Sequence, residues 1–220
     1  WVGVAIVSGN PILSNVRFSY GAWPLSLWDS GSSAELTDVQ YVNCAIPINI
    51  GGGSATLRNV LMTGSLVPLR GDFSYTVSAE NVTIVGADPF GMTGPGYPTV
   101  SFTNSIVVAV TNFGTATIIN NNSLIDTNTI PDLFQTVGAA SYYLATNSIY
   151  RDIGTTNINA NLLAELRKKT TYPPVVYSNV TFTVDTSLSL QAQRDSNTPD
   201  LGYHYAPIDY LVNLLVVTNA

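Results

Sequence analysis

The fold of this chain is decided by Leu57-Arg58-Asn59-Val60-Leu61-Met62, which returns after 22 residues as Ala79-Glu80-Asn81-Val82-Thr83-Ile84. Each copy has an apolar residue, an Asn two places later, and apolar residues that alternate after the Asn. The pattern continues to both sides in steps of 21 to 23 residues, and such a fixed period is typical of repeat proteins. The residues at the Asn position are Asn15, Asp38, Asn59, Asn81 and Asn104.

A second marker keeps phase with the first. It is a Pro followed by a hydrophobic residue, 8 or 9 positions after each Asn. The residues are Pro24, Pro47, Pro68 and Pro89, and Asn112-Phe113-Gly114 takes the same place in the next repeat. Two independent markers that stay in phase indicate a structural repeat of about 22 residues.

The repeat predicts an all-β fold, a right-handed parallel β-helix (β-solenoid) with three short strands per coil. Coils of about 22 residues are too short for the helical crossovers that usually join parallel strands. Alternation places one apolar set inside each coil. The residues expected to point inward after the Asn are Val16, Phe18, Val39, Tyr41, Val60, Met62, Val82, Ile84, Ile106 and Val108.

The Asn position has a physical rationale. Asn tolerates the left-handed backbone of a sharp corner, and stacked Asn amides can hydrogen-bond from coil to coil. Asp38 can occupy such a corner but cannot donate. Pro at the other corner presets φ, and the lost donor is tolerated at the start of a strand.

The pattern loosens downstream. Asn122, Asn147 and Asn179 predict further corners. Residues 159–170 predict an amphipathic helical excursion that packs on the solenoid, with Arg167-Lys168-Lys169 at its C-terminal end. We therefore expect a β-helix over residues 1–184, followed by a closing segment and a C-terminal extension strand over residues 185–220.

Composition excludes several classes of protein. A net charge of −6, with only 10% charged residues, does not suit nucleic-acid binding, which requires clustered positive charge. The single cysteine, Cys44, excludes an internal disulfide and a cysteine-based metal site. No apolar run reaches the roughly 18 residues of a membrane span. The Asn, Ser and Thr content suits an extracellular protein, and the start in mid-pattern suggests a mature product or a segment of a longer one.

The rungs resemble the right-handed β-helix superfamily, which includes pectate lyases, polygalacturonases and phage tailspikes. Residues near the C-terminus are similar to the closing segment of bacterial choice-of-anchor surface proteins. They are Gly138 to Leu144, Ser148 to Thr155, and Gln193 to Tyr205, which contains Pro199-Asp200-Leu201-Gly202. This resemblance implies an exported, surface-associated bacterial protein, and it offers no catalytic residues to carry over.

The enzyme hypothesis finds little support in the sequence. A lyase or hydrolase needs grouped carboxylates and a base, but the acids of the coils are scattered and His204 lies beyond them. We therefore expect no catalytic residues and no cofactor. Asp185, Asp195 and Asp200 could bind Ca²⁺, although Asp195 and Asp200 can instead hydrogen-bond their own turns.

The remaining hypotheses concern surfaces. Trp23 and Trp28 flank the first Pro corner and could stack on sugars. The two terminal segments are uncharged, β-prone and without a cap, so they could add to another sheet edge. The residues expected in self-assembly are Trp1, Val2, Val4, Tyr210, Leu211, Val212, Leu214, Leu215, Val216 and Val217.

The sequence thus favours a non-catalytic, extracellular structural or adhesive β-solenoid. Its partners would be further copies of itself, in a homo-oligomer or filament, or the rest of a longer surface protein. The alternatives are a polysaccharide-binding or polysaccharide-cleaving β-helix, and a tailspike-like recognition module that would require side-by-side trimers.

Overall fold

The structure is a computed structural model that describes residues 1–71, 73–87, 91–92 and 96–218. Pro89 of the second marker lies outside the described residues, and so does the side chain of Val2. The remaining residues form a mostly β fold with one helix of seven residues among them.

The strands in chain order are β1 (Val2–Ile6), β2 (Ile12–Ser14), β3 (Arg17–Ser19), β4 (Trp23–Leu27), β5 (Ser33–Val42), β6 (Ile48–Ile50), β7 (Gly53–Thr63), β8 (Leu69–Gly71), β9 (Tyr75–Glu80), β10 (Thr83–Ala87), β11 (Gly91–Met92), β12 (Thr99–Thr103), β13 (Ile106–Val110), β14 (Thr117–Asn121), β15 (Leu124–Asp126), β16 (Phe134–Val137), β17 (Ala140–Leu144), β18 (Val175–Ser178), β19 (Thr181–Phe182), β20 (Tyr210–Asn213) and β21 (Val216–Val217). The helix α1 covers Ala160–Leu166.

Strands β1 to β15 form a parallel β-solenoid of about five turns, which confirms the predicted fold. One sheet has the order β1-β4-β6-β8-β11 and contains the strands at the Pro corner. The other two stacks lie before and after the Asn corner. They merge into one ten-stranded sheet, because β5 and β7 run through that corner without a break.

The core is one continuous column inside the coils. Leu36, Leu57, Ala79 and Phe102 follow one another in register and are buried. The residues after the Pro form a second row, in which Leu25 pairs with Ile48 and Ile48 with Leu69. Each buried Leu or Ile contributes roughly 1.5–3 kcal/mol, so this column supplies most of the driving force for folding.

The inward residues of the fifth coil differ from the prediction. Strand pairing aligns Ile84 with Val107, and this register turns Ile106 and Val108 outward. The prediction treated Ser105 as an extra residue, but Ser105 takes the inward place of Val82. The core tolerates Ser105 because its hydroxyl donates to the Thr103 carbonyl and accepts the Val82 N–H.

The Asn corners have the backbone that the sequence predicts. All five residues of the ladder have φ between 49° and 58°. Asn122 forms a sixth corner with φ 58°, as expected. Asn147 is not a corner: it lies in a turn after β17, where the chain has already left the stack.

The chain leaves the continuous stack after β15 (Leu124–Asp126), earlier than the expected boundary at residue 184. An antiparallel hairpin, β16–β17, follows. The expected division of the chain into residues 1–184 and 185–220 stays a prediction.

Helix α1 confirms the predicted excursion with narrower bounds. The Asn159 side chain caps it by accepting the N–H groups of Asn161 and Leu162 at 3.1 Å. Glu80 accepts the Asn159 N–H at 3.1 Å and so fixes the helix to a coil. The helix ends before the three cations, with Arg167 as its C-cap. Among the described residues no helix has the length and hydrophobicity that a membrane crossing requires.

The last strands form a second, smaller stack, which we call the terminal arch (β18 to β21). Strand β18 pairs in parallel with β20, and β19 with β21. Asn179, with φ 55°, joins β18 to β19, and Leu214, with φ 57°, joins β20 to β21. The predicted corner at Asn179 therefore exists, but it belongs to this separate two-layer stack.

Candidate functional site

The Asn ladder binds the chain's own closing segment. Asn59 donates to the His204 carbonyl at 2.9 Å and accepts the His204 N–H at 2.7 Å. Asn104 forms the same pair of bonds with Thr155, at 2.8 and 2.7 Å. Asn81 donates to the Asp200 carbonyl at 3.0 Å. Three coils thus hold Thr155 and residues 200–204 along the outside of one corner.

The predicted coil-to-coil amide ladder is present only in part. Among the described residues, Asn59 donates to Asp38 at 2.7 Å and Asn122 donates to Asn104 at 3.4 Å. Asp38 cannot donate, and it pairs instead with the Lys169 ammonium at 2.9 Å. The amides prefer the closing segment because it offers buried backbone groups that would otherwise lack partners.

A buried His–Asp pair lies within the closing segment. His204 Nε2 is 2.5 Å from Asp195 Oδ2, and His204 Nδ1 is 3.0 Å from the Gly202 carbonyl. A carbonyl oxygen only accepts, so Nδ1 carries a proton and a second proton is shared between Nε2 and Asp195. Since both ring nitrogens are engaged and the ring is buried, His204 holds the segment in place and has no free nitrogen to exchange protons with a ligand.

Asp200 is the second acid of this network. It accepts the Asp152 N–H at 2.8 Å, pairs with the Arg151 guanidinium at 3.2 Å, and accepts the Thr171 hydroxyl. Burial raises the pKa of the Asp200 carboxyl above its usual value. The hydrogen bonds from Thr171 and Asp152 act in the opposite direction, and the negative charge of Asp195 adds to the rise.

Arg151 connects this network to the hairpin. Its guanidinium donates to the carbonyls of Leu144 and Ala145, at 2.8 and 3.2 Å, and lies 3.5 Å from the centre of the Tyr172 ring. Breaking a buried, hydrogen-bonded ion pair costs several kcal/mol. We therefore interpret the network as a lock that closes the solenoid, and we call it the closing lock (Arg151, Thr171, Asp195, Asp200 and His204).

The structure brings together two of the three predicted Ca²⁺ candidates. Asp195, Asp200 and His204 place one ligand atom each within 4.8 Å of one another, whereas Asp185 is exposed elsewhere. Among the carboxylate oxygens and ring nitrogens of these three residues, only Asp195 Oδ1 lacks a hydrogen-bond partner. Ca²⁺ takes six to eight oxygen ligands, and two carboxylates with an imidazole do not match that demand.

A groove that the sequence did not predict lies on the outer face of the first three coils. It has a volume of about 560 Å³, and the hairpin turn and residues 203–211 complete its walls. Gln40 donates to the Tyr203 hydroxyl at 2.9 Å inside it, and Arg17 lies exposed at its rim. Burial raises the pKa of Tyr203 to about 12, so the phenol stays neutral. Its walls come from residues over 100 positions apart, so local patterns carry no signal for it.

The two predicted sugar-stacking residues lie at opposite ends of β4. Arg70 lies over the Trp23 ring, 5.4 Å from its centre, and occupies one of its faces. Trp28 follows the strand and is exposed. They do not form one continuous platform.

Acids of the coils that a catalytic site could have used are engaged in ion pairs. Arg58 lies 3.3 Å from Glu35 and 3.5 Å from Glu80, so it links three neighbouring coils. Asp72 and Asp88, two further acids of the coil sequences, lie outside the described residues. Partly exposed pairs of this kind contribute at most about 1 kcal/mol each.

The first coil leaves the column open. We call the apolar residues at its open end the N-terminal face. Val4, Ile6, Leu13, Val16 and Phe18 are inward by register with the second coil, and the Trp1 ring lies 6.1 Å from the Phe18 ring. Trp1 is 57% exposed and Val4 46% exposed, and Ile6, Leu13 and Phe18 are only partly buried against the core. The other edges of β1, β2 and β3 pair with no strand in the described part of the chain.

Comparison with known proteins does not identify a function for these surfaces. No family model matches the chain, and neither a curated protein nor a solved structure gives a significant match.

Proposed function

We propose that this protein is a non-catalytic structural or adhesive β-solenoid that joins end to end with further copies of itself. The observation that carries the proposal is the N-terminal face, where open strand edges surround an uncovered apolar core. An exposed edge of this kind is a template for pairing with another chain.

The charge distribution supports this reading. Natural edge strands commonly carry Lys or other charges that prevent addition. Arg17 is the only charged residue among residues 1–28, and none occurs in the strands β18 to β21. Both terminal regions thus lack the usual protection against association.

Geometry favours a head-to-tail arrangement. When all copies point the same way, strands at the joint stay parallel and the outlines of the coils match. Two N-terminal faces would meet with one outline reversed, so the sheets would not align. A head-to-tail contact without closure produces a filament.

The proposed location is the bacterial cell surface or the extracellular space. The resemblance to choice-of-anchor proteins and the low charged fraction of 10% support it. The residues that carry the resemblance include four members of the closing lock, Arg151, Asp195, Asp200 and His204, which gives those motifs a structural reason to occur together.

Electron microscopy and light scattering of the purified chain test the proposal. We expect thin fibres, and masses that rise with concentration above the 23.5 kDa of one chain. Leu13→Asp places a charge on the N-terminal face and should prevent assembly. Ile149→Asp, at an exposed site in a turn outside the coils, is the matched control and should not. A wild-type chain that remains monomeric at about 100 μM would contradict the proposal.

A second candidate function is polysaccharide binding, which the groove favours. It combines Tyr142, Tyr203 and Tyr205 with the polar groups of Arg17 and Gln40, and sugar sites use aromatic rings with a few polar groups. A glycan array would test it with Tyr142→Ala and Trp28→Ala. Loss of binding in Tyr142→Ala alone would assign the groove, and loss in Trp28→Ala alone would assign the tryptophan surface.

A further inference from the structure

The N-terminal face needs a complementary surface on the neighbouring copy, and the molecule offers two. One is the last coil of the solenoid, residues 112–126, and the other is the terminal arch. We infer that the terminal arch of one copy docks on the N-terminal face of the next. This inference rests on the proposed self-association through the N-terminal face and specifies the surface that meets that face.

The arch repeats the corner pattern of the solenoid. Tyr177-Ser178-Asn179-Val180-Thr181-Phe182 corresponds position by position to Ala79-Glu80-Asn81-Val82-Thr83-Ile84. Both segments have a left-handed Asn between two strands that pair in parallel. The arch is therefore two layers of the same corner without the third strand.

The arch is too thin to cover its own apolar side. In the layer β20–β21, the inward positions around the Leu214 corner are Val212, Leu215 and Val217, by alignment with Tyr177, Val180 and Phe182. They are 41%, 41% and 68% exposed. Stacked repeats need further layers to bury such residues, so this layer is open to a partner.

The N-terminal face offers the matching rows. Leu13, Val16 and Phe18 stand two before, one after and three after Asn15. Val212, Leu215 and Val217 stand at the same distances from Leu214. Stacking the arch in register would extend three apolar rows by one layer, and both surfaces are free of charge at these positions.

The last coil is a poorer match. Asn120 lies in register with the core residue Phe102 and so occupies an inward position. Its side chain accepts the Ser123 N–H at 2.9 Å and donates to the Ser123 carbonyl at 3.1 Å. These bonds form a local polar cap, and stacking another coil on it would bury the amide against apolar Leu13.

The arch of the same molecule leaves the face open. Leu211 of the arch lines the groove together with Asn15 and Val16, so the arch lies beside the first coil. Trp1 and Val4 nevertheless stay about half exposed. The arch of the same molecule therefore does not cover the face.

Complementation between variants tests the joint. Leu215→Asp disables the arch, and Leu13→Asp disables the face. Each variant alone should remain a single chain, whereas an equimolar mixture should form a 1:1 dimer, which requires both variants to be folded. Ile118→Asp, on the last coil, is the matched control and should assemble like the wild type.

Engineered disulfides supply a second readout. The only native cysteine, Cys44, is buried, so introduced thiols report without background. Asn213→Cys precedes the arch corner as Ser14→Cys precedes the corner of the first coil. This pair should give a ladder of linked oligomers on a non-reducing gel. The pair Asn121→Cys with Ser14→Cys, which probes the last coil, should not.

The outcomes separate the two proposals. If Leu215→Asp assembles like the wild type, or if the Asn121 pair alone cross-links, the arch is not the joint while end-to-end assembly stands. A mixture of arch and face variants that gives no dimer, together with no Asn213 cross-link, also overturns the arch. If the wild type never associates, both proposals are wrong.

Discussion

The corner asparagines have two roles that a single residue type can satisfy. Their backbone has positive φ, which costs most L-residues roughly 1–2 kcal/mol, and their amides reach the closing segment. Glycine would satisfy only the first role, and serine only weakly the second. This combination explains why Asn recurs where the turn alone would accept Gly.

Substitutions at Asn81 separate the two roles. Asn81→Gly should lower the free energy of unfolding by about 1–3 kcal/mol, because buried carbonyls lose their donor. Asn81→Ala should lower it by roughly 1–2 kcal/mol more, because of its φ of 53°. Urea denaturation measures both. Asn15, an exposed corner, is the control, and Asn15→Gly should change little; equal losses at both corners would mean that the amides contribute nothing.

The closing lock depends on paired charges. Asp195→Ala removes the partner of His204 and should destabilise the fold by about 3–5 kcal/mol, since it leaves a buried polar group unpaired. Asp185→Ala, at an exposed site, should stay within about 0.5 kcal/mol of the wild type. Thermal unfolding of both variants checks this, and similar melting temperatures would show that the lock does not hold the closing segment.

At the scale of elements, stability is expected to vary along the solenoid. Strands β5, β7 and β9 have neighbours on both sides and contribute fully buried residues such as Leu36 and Leu57. Strand β1 has one neighbour, and each strand of the terminal arch pairs with one other. Two-stranded units are marginal on their own.

Hydrogen exchange measures this gradient. In dilute protein, amides of β5, β7 and β9 should exchange slowest, and those of β1 and β18 to β21 should exchange orders of magnitude faster, since local opening needs less free energy there. Protection of β20–β21 comparable to that of β7 in a monomer would contradict the view that the arch is incomplete. Raising the concentration should then protect β2, β3, β20 and β21 together.

At the scale of the whole molecule, association competes with like charge. Every copy carries a net charge of −6, while the proposed contact surfaces are uncharged. Salt screens the repulsion over about 10 Å at 0.1 M and leaves apolar contacts intact.

We therefore expect assembly to increase between roughly 0.02 and 0.2 M NaCl. It should increase again as the pH falls toward the isoelectric point near 4.4, where the net charge vanishes. Light scattering at fixed protein concentration measures both effects. Fibres that dissolve in salt would instead indicate an interface made of ion pairs.

The sequence by itself determined the solenoid, because the same pattern of Asn, Pro and alternating apolar residues recurs in every coil. The pattern predicts a corner at Asn59 and at Asn81, and a strand start at Pro47 and at Pro68. Because the coils agree with one another, an irregular residue in one coil does not change the predicted fold. The prediction of inward residues was wrong at Ile106. Strand alternation has a period of two, so an error of one residue in the spacing exchanges the inward and outward side chains.

Only the tertiary structure decided where the closing segment goes. Arg151, Thr171 and His204 are far apart in the chain, and Asp195 and Asp200 connect them only because the chain folds back after the hairpin and α1. The groove at Gln40 and Tyr203 arises in the same way. Local periodicity reports which face of a strand is apolar, but a lock or groove needs residues from different repeats, and the distances between them exist only after the coils have stacked and the chain has folded back.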